Sequence, residues 1–472
     1  MTKAKDGSRR DFLKGASLAG AASLLATQRS SAAHSSPDDQ NAEPIHAKNL
    51  IFLVADGMGT GTLSLAHHWK QSNEGSILNW MQLYGRPDVV TALQETASAS
   101  SPVTDSAAAA SAWGSGKRVN NRSINIGTDG VPQTPLMTYV KKAGKATGLV
   151  STCRITHATP AGFAANSADR DAEDKIADQY LERGIDVILG GGRRHFDRQG
   201  EGQDGKNLLS AFESKGYATA LNKESLFAAK GSPKLLGLFS DSHIPYAIDR
   251  KFDKSFEAIP SLPEMFQAAL KSLESAPNGF VLQVEAGRVD HAGHANDPAA
   301  ILHDQLEFDD CIPLAIEFAE KNKDTLVIVT TDHGTGGCQL NGAGDSYNGS
   351  EASMNQINRF KGSFESLELV FKEKQKFDKD LFEEVTGIKV NKSQGKEIES
   401  AAKKRISYLS SKMTDVVAEQ LHEATAVGWT SNKHTAEFVE FLCFGPGSSL
   451  TKPFMKNYEL FHLMARALQL KI

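Results

Sequence analysis

The sequence predicts an α/β fold: a doubly wound, mostly parallel central sheet with helices on both faces and a helical insertion. Three observations predict it. Short, continuous apolar runs recur along the chain, as expected of strands buried on both faces. Helix-like stretches separate these runs. Three of the runs also end on a carboxylate: Asn49–Ala55 leads into Asp56-Gly57-Met58-Gly59, Phe280–Val284 into Glu285, and Thr325–Thr331 into Asp332-His333-Gly334. Ligands of such sheets bind beyond the carboxyl ends of the strands. Three carboxylates gathered there repel one another and resist ionisation unless cations lie between them. The first expectation is therefore a metal site, and a multinuclear one.

Taken in order, residues 1–33 read as a twin-arginine signal peptide. Ser8-Arg9-Arg10-Asp11-Phe12-Leu13-Lys14 precedes a mildly apolar run from Gly15 to Ala26, and Ser31-Ala32-Ala33 offers small residues for cleavage. An exported protein, periplasmic or extracellular, is expected. Residues 34–48 are a polar linker, and 49–472 form one domain. Its predicted strands lie at 49–55, 146–151, 185–190, 280–284, 325–331 and 437–444, the last closed by Gly445-Pro446-Gly447. Two insertions are expected, at about 195–260 and 345–428. The second is rich in Lys and Glu, with helical spacing in Phe364–Phe371 and Ala401–Leu421. It is either a cap that restricts substrate or a solvated crown, and its composition favours the crown.

Composition excludes some partners. The 472 residues are 40% hydrophobic and 23% charged, with a net charge of −5. There is no basic stripe interleaved with aromatics, so nucleic acid and anionic membranes are not expected as partners. No stretch beyond the signal reaches the ~18–20 apolar residues that span a bilayer. Four cysteines, Cys153, Cys311, Cys338 and Cys443, allow three complete pairings and none has zinc-finger spacing. Cys153 and Cys443 lie in strand-like runs, where a buried free thiol is the commoner outcome. No disulfide is predicted.

Further along, Val289-Asp290-His291-Ala292-Gly293-His294 follows Glu285. On a helix, Asp290 and His294 are i and i+4 and share a face, a carboxylate–imidazole half-site suited to zinc. His291 then points elsewhere, towards the back of the ligands or the substrate. Asp332-His333 in its Gly-rich turn reads either as a turn-and-cap pair or as a second half-site. His434 precedes the last strand and by itself is only a loop histidine. Ser106, in Val103-Thr104-Asp105-Ser106-Ala107-Ala108-Ala109-Ala110, is the nucleophile candidate. Asp105 or Ser106 caps an alanine-rich helix. The free N–H groups there favour phosphate or a serine alkoxide, and zinc activates a hydroxyl without a histidine base. Thr159, in His157-Ala158-Thr159-Pro160, offers a hard oxygen suited to magnesium. Arg170 is either an oxyanion clamp or a surface helix residue.

Taken together these motifs resemble the alkaline phosphatases: Asp56-Gly57-Met58-Gly59, Thr104-Asp105-Ser106-Ala107-Ala108, His157-Ala158-Thr159-Pro160-Ala161, Val284-Glu285, Asp290 with His294, Thr331-Asp332-His333, and His434. Order and context agree over about 50–343 and 430–465. The resemblance implies two zinc ions and one magnesium. Asp290, His294 and His434 would hold the first zinc. Asp56, Asp332 and His333 would hold the second, approached by Ser106. Asp56, Thr159 and Glu285 would reach the magnesium, and Arg170 would grip the phosphoryl oxygens. His157 and His291 look like the animal-type members, where some bacterial members carry Asp and Lys. A histidine at 157 alters the preference of the third site, so magnesium is implied there less strongly than the zinc pair; separately, the sequence leaves magnesium or calcium open at that site. The implied reaction is hydrolysis of small-molecule phosphomonoesters through a phosphoserine, by a homodimer. Two rivals remain, a phosphodiesterase of the same superfamily and a non-catalytic phosphate- or metal-binding envelope protein. A sulfatase would want Cys-x-Pro-x-Arg, and Cys311-Ile312-Pro313-Leu314-Ala315 lacks the arginine.

Overall fold

All six apolar runs form strands of one ten-stranded sheet. The structure, a computed structural model, describes residues 45–200, 204–406 and 409–472. The export signal and most of the linker lie outside those residues. Twelve strands run in chain order: β1 (Asn49–Val54), β2 (Val89–Glu95), β3 (Ala146–Arg154), β4 (Val187–Gly191), β5 (Ala218–Ala220), β6 (Leu235–Leu238), β7 (Phe280–Glu285), β8 (Thr325–Thr330), β9 (Gln339–Leu340), β10 (Val427–Gly428), β11 (Val439–Phe444) and β12 (Phe454–Lys456). The main sheet has the order β12-β2-β11-β8-β1-β7-β3-β4-β6-β5, and β9 with β10 makes a small separate ribbon. Among the described residues of the main sheet only β11 runs antiparallel to its neighbours, β8 and β2, while β9 and β10 pair antiparallel in their own ribbon. The sheet is thus mostly parallel, as the sequence predicts.

Strand β1 shows why these runs are apolar without alternation. Leu50, Phe52 and Val54 pack into the helical layer on one face, and Ile51 and Leu53 into the layer on the other. All five are fully buried. A strand covered on both sides offers few positions for a polar side chain before it leaves the sheet, and one that is present, Gln283 in β7, donates to the Thr159 carbonyl at 3.2 Å. The strand leaves at its carboxyl end, and the carboxylates sit there.

Two sequence readings need adjustment. The stretch 195–260 contains β5 and β6, which extend the main sheet beyond β4. It builds the sheet's edge instead of standing outside it. These strands are three and four residues long, too short for a clear apolar run. Strands β2 and β12 were also not legible, because β2 is half exposed along its length. The stretch 345–428 is helical and buries its own apolar faces, among them Phe364, Phe371, Phe382 and Leu421, in the larger of the two core layers. Asp297, behind the Arg288–Ala295 helix, accepts the N–H of Phe364 at 2.6 Å, tying this stretch to the core. All four cysteines are buried and free. No helix among the described residues is long and apolar enough to cross a membrane.

Candidate active site

Sheet order brings the carboxylates together. Strands β7, β1 and β8 are adjacent, with Val54 in register with Glu285 on one side and Thr330 on the other. Asp56, Glu285 and Asp332 therefore emerge side by side, each essentially inaccessible to solvent. Burial pushes Asp56 up, with Asp332 and Asp290 adding to it. Burial likewise lifts Glu285 to about 7 and Asp332 to about 8. Asp290 goes the other way: burial raises it, but the imidazoles of His294, His434 and His333 outweigh that and hold it low.

The turn after β1 needs glycine. Gly57 has φ +75°, and a Cβ there would lie 2.6 Å from Cα of Asp290. This close approach draws the Arg288–Ala295 helix onto the sheet edge. The segment is helical as expected, so Asp290 and His294 share a face; their nearest N–O distance is 3.4 Å. His434, 144 positions beyond Asp290, comes to 3.5 Å from the same carboxylate. His333 Nε2 lies 3.1 Å from Asp332 Oδ2 and 3.7 Å from Asp56 Oδ1.

Ser106 is the first residue of the Ser106–Ser115 helix, and Asp105 is its N-cap, accepting the Ala108 N–H at 3.0 Å. The helix is alanine-rich because it is buried all round. It crosses the Ala158–Ala164 helix so closely that a Cβ on Gly114 would meet the Gly162 carbonyl. This crossing places Thr159 beside the carboxylates, where its hydroxyl donates to Asp56 Oδ2 at 3.2 Å. Ser106 Oγ lies 3.3 Å from His333 Nε2. Arg170 is not a surface helix residue. It sits in a loop, donates to Asp105 at 2.9 Å, and reaches His157 Nε2 at 3.2 Å.

His291 points away from Asp290's partners, as the helix geometry predicts. Its Nδ1 accepts from Arg288 at 2.7 Å, and Arg288 donates onward to Glu365 of the 345–428 stretch at 2.6 Å. Several contributors were missed from sequence. Ser151 donates a very short hydrogen bond to Glu285. Thr335 donates to Asp290 at 2.6 Å. His243, in the loop after β6, stacks edge-on with His291 at 4.4 Å. Ser151 ends an apolar run, so the strand-end rule reaches it; His243 follows a strand too short to notice.

The donor set fits divalent metal ions. Asp56 Oδ1, Glu285 Oε1, Asp332 Oδ2 and His157 Nδ1 are buried atoms with no hydrogen-bond partner. Asp290, His294 and His434 offer three ligand atoms within 4.8 Å of one another; Asp56, Asp290 and His333 do the same, as do Asp56, His157 and Glu285. Buried carboxylate oxygens left unpaired cost several kcal/mol each unless a cation meets them. Three overlapping groups at one sheet edge, beside a serine on a helix N-terminus and a half-buried arginine, make a site for an anionic group such as phosphate.

Comparison with known proteins agrees with this chemistry. The profile described as alkaline phosphatase matches residues 47–470. Alkaline phosphatase 3 of Bacillus subtilis (strain 168) is 33% identical over 435 residues, covering 90% of both chains. The crystal structure of the Thermus thermophilus alkaline phosphatase superposes with a TM-score of 0.84 at 35% identity, covering 95% of this chain and 96% of that one. A cold-active alkaline phosphatase from a psychrophilic Shewanella gives a TM-score of 0.74 at 27% identity, over 89% of this chain and 99% of its own.

Proposed function

The chain belongs to the alkaline phosphatase family and is a metal-dependent phosphomonoester hydrolase, and we propose that it works through a phosphoserine on Ser106 with two zinc ions and one magnesium. Asp290, His294 and His434 would hold one zinc. Asp56, Asp332 and His333 would hold the other. Asp56, Thr159 and Glu285 would hold the magnesium, so Asp56 would belong to both sets. A ring nitrogen of His157 lies within 4.8 Å of carboxylate oxygens of Asp56 and Glu285, so a mixed oxygen–nitrogen set is available there, and an imidazole in it suits zinc better than magnesium. When bound, such ions lower the pKa of a hydroxyl or water and neutralise charge on phosphoryl and leaving oxygens.

The chain's own residues do the rest. Arg170, held by Asp105, presents its guanidinium to two phosphoryl oxygens. The first N–H groups of the Ser106–Ser115 helix add positive potential at the same place. Ser106 Oγ loses its proton to solvent and forms a bond to phosphorus as the ester bond to the alcohol breaks in line, and the departing alkoxide takes up a proton from water. Water then attacks the phosphoserine, releasing inorganic phosphate and returning the serine hydroxyl. Most of the gain in such a transfer comes from positioning and from neutralising the transferring group.

The observation that carries this reading is the convergence of Ser106 Oγ, Arg170 and the unpartnered carboxylate oxygens at one sheet edge. The experiment is hydrolysis of a chromogenic phosphomonoester at neutral and alkaline pH, before chelation, after it, and after zinc is added back with and without magnesium. Loss on chelation and recovery with zinc is the expected result. Folded protein that is inactive on monoesters under every condition but turns over diesters would overturn the monoester assignment. The Arg9-Arg10 motif supports export to the periplasm or beyond, and the family supports a homodimer.

A further inference from the structure

The segment 121–125 is bonded both to the Ser106–Ser115 helix and to the loop that carries Arg170. On the helix side, the Asn125 N–H donates to Ser111 Oγ at 2.8 Å, Asn121 Oδ1 accepts the Asp105 N–H at 3.2 Å, and the Arg122 N–H donates to Asp105 Oδ2 at 2.9 Å. On the loop side, Ile124 and Ser167 exchange N–H···O bonds at 2.8 and 2.9 Å, and the Arg122 carbonyl accepts the Arg170 N–H at 2.9 Å. Arg122 thus touches the helix cap with its N–H and Arg170 with its carbonyl. Its guanidinium reaches Asp169 at 3.0 Å and Asp171 at 2.5 Å, the residues on either side of Arg170.

We propose that Arg122 is a positioning residue for the phosphate clamp. It holds the loop from both sides of Arg170 and occupies Asp169 and Asp171, so that the Arg170 guanidinium stays on Asp105 and open to phosphoryl oxygens. The inference rests on the reading of Arg170 as that clamp.

Backbone conformation argues that the side chain has a use. Arg122 has φ +71°, in the left-handed region that a side chain enters only against its own preference. Glycine adopts this conformation freely and would keep both backbone bonds in place. The backbone bonds alone therefore give no reason for an arginine. A side chain held in an unfavourable conformation is the kind of feature that gathers where a chain fixes a functional geometry.

Exposure decides what that use is. The side chains of Arg122, Asp169 and Asp171 are each more than half exposed, and ion pairs so well solvated contribute little to global stability. Bracing the fold is not their role. Local charge is. Arg170 is bracketed in sequence by two carboxylates, which attract its guanidinium and repel an arriving phosphate. Adjacent residues lie well within the screening length of salt, about 8 Å at physiological strength, so neither effect is screened away. One planar fork engages both acids at once. Arg170 is then left with Asp105 at 2.9 Å and His157 at 3.2 Å as its partners.

The test is calorimetric titration of inorganic phosphate into the metal-loaded full chain, in a double-mutant cycle of Arg122→Gly and Arg170→Ala. Arg122→Gly removes the guanidinium and suits the backbone, so its thermal midpoint should match wild type. Its phosphate Kd should rise about fivefold, the upper scale for an exposed charge pair. In the Arg170→Ala background the same substitution should change Kd by less than about twofold, because Arg122 acts through Arg170. A wild-type Kd in Arg122→Gly overturns the proposal. So does an equal rise in both backgrounds, which would make Arg122 an independent source of positive potential. A thermal midpoint that falls together with phosphate affinity overturns it too, since Arg122 would then brace the fold. Phosphate affinity untouched by Arg170→Ala alone sinks the clamp reading itself, and this inference with it.

Discussion

The Nε2 atoms of His294 and His434 face each other at 3.0 Å, while Nδ1 of each ring is turned to a backbone carbonyl, Asn432 and Thr104 respectively, at 2.8 Å. A ring nitrogen against a carbonyl carries the hydrogen, so in the neutral rings both Nε2 lone pairs point at one another. Asp290 lies 3.4 and 3.5 Å from these same nitrogens. Two lone pairs and a carboxylate at this spacing repel unless a cation sits among them. A carbonyl behind each imidazole also fixes ring orientation, as is usual for metal-binding histidines.

Metal removal should therefore cost stability as well as activity. An ion supplied at a thousand times its Kd adds about 4 kcal/mol to the folded state. Calorimetry should show the thermal midpoint falling on chelation and returning with zinc, and metal analysis of the purified protein should find zinc and magnesium near two to one. A midpoint indifferent to chelation, in protein free of bound ions, would remove the metal centre.

Ser106→Ala should reduce turnover of a chromogenic ester by about a thousandfold or more, the scale seen when a nucleophile is deleted. It should also abolish acid-stable labelling of the chain by a radiolabelled phosphomonoester. Labelling that survives the substitution would move the nucleophile elsewhere.

Asp105 serves three partners, and two substitutions separate the helix cap from the arginine clamp. Its Oδ1 accepts the Ala108 N–H at the helix start, and its Oδ2 accepts from Arg170 and from the Arg122 N–H, both at 2.9 Å. Asp105→Ala should cost about 1 kcal/mol in urea denaturation through the lost cap. It should also raise the inhibition constant of inorganic phosphate about tenfold, as Arg170 loses a charge-assisted hydrogen bond. Asp105→Asn keeps a capping oxygen, so stability should stay near wild type while phosphate binding weakens. Identical behaviour of the two variants would show that the cap and the clamp are not separable.

Asp297 should prove a structural carboxylate. It accepts the N–H of Ala299 and Ala300 at 3.0 Å each and that of Phe364 at 2.6 Å, and it is fully buried. Asp297→Ala leaves three buried N–H groups without a partner and should cost about 3 kcal/mol. Chemical denaturation measures it. A loss below about 1 kcal/mol would mean that water or a shifted backbone replaces the carboxylate.

The sequence by itself determined the parts whose signal is local. Continuous burial makes a strand apolar until it leaves the sheet, so Asp56, Glu285 and Asp332 were legible as strand-end carboxylates before any fold was known. The i,i+4 spacing of Asp290 and His294 needed only a helix. The small residues around Ser106 marked a helix start. Tertiary structure alone decided the partnerships. Nothing local to His434 says that it meets His294, or that Arg170 belongs to Asp105, 65 positions away. Ser151 reaches Glu285 only because β3 lies next to β7 in that register. His243 and the strands before it were hidden because three or four residues are too few to show a period. The insertion's place over the Arg288–Ala295 helix likewise rests on Glu365, Ser411 and Thr414 finding partners there. A periodic pattern records what each segment buries. Which segments bury each other depends on strand order and crossovers, and these are settled by the packing of the whole chain.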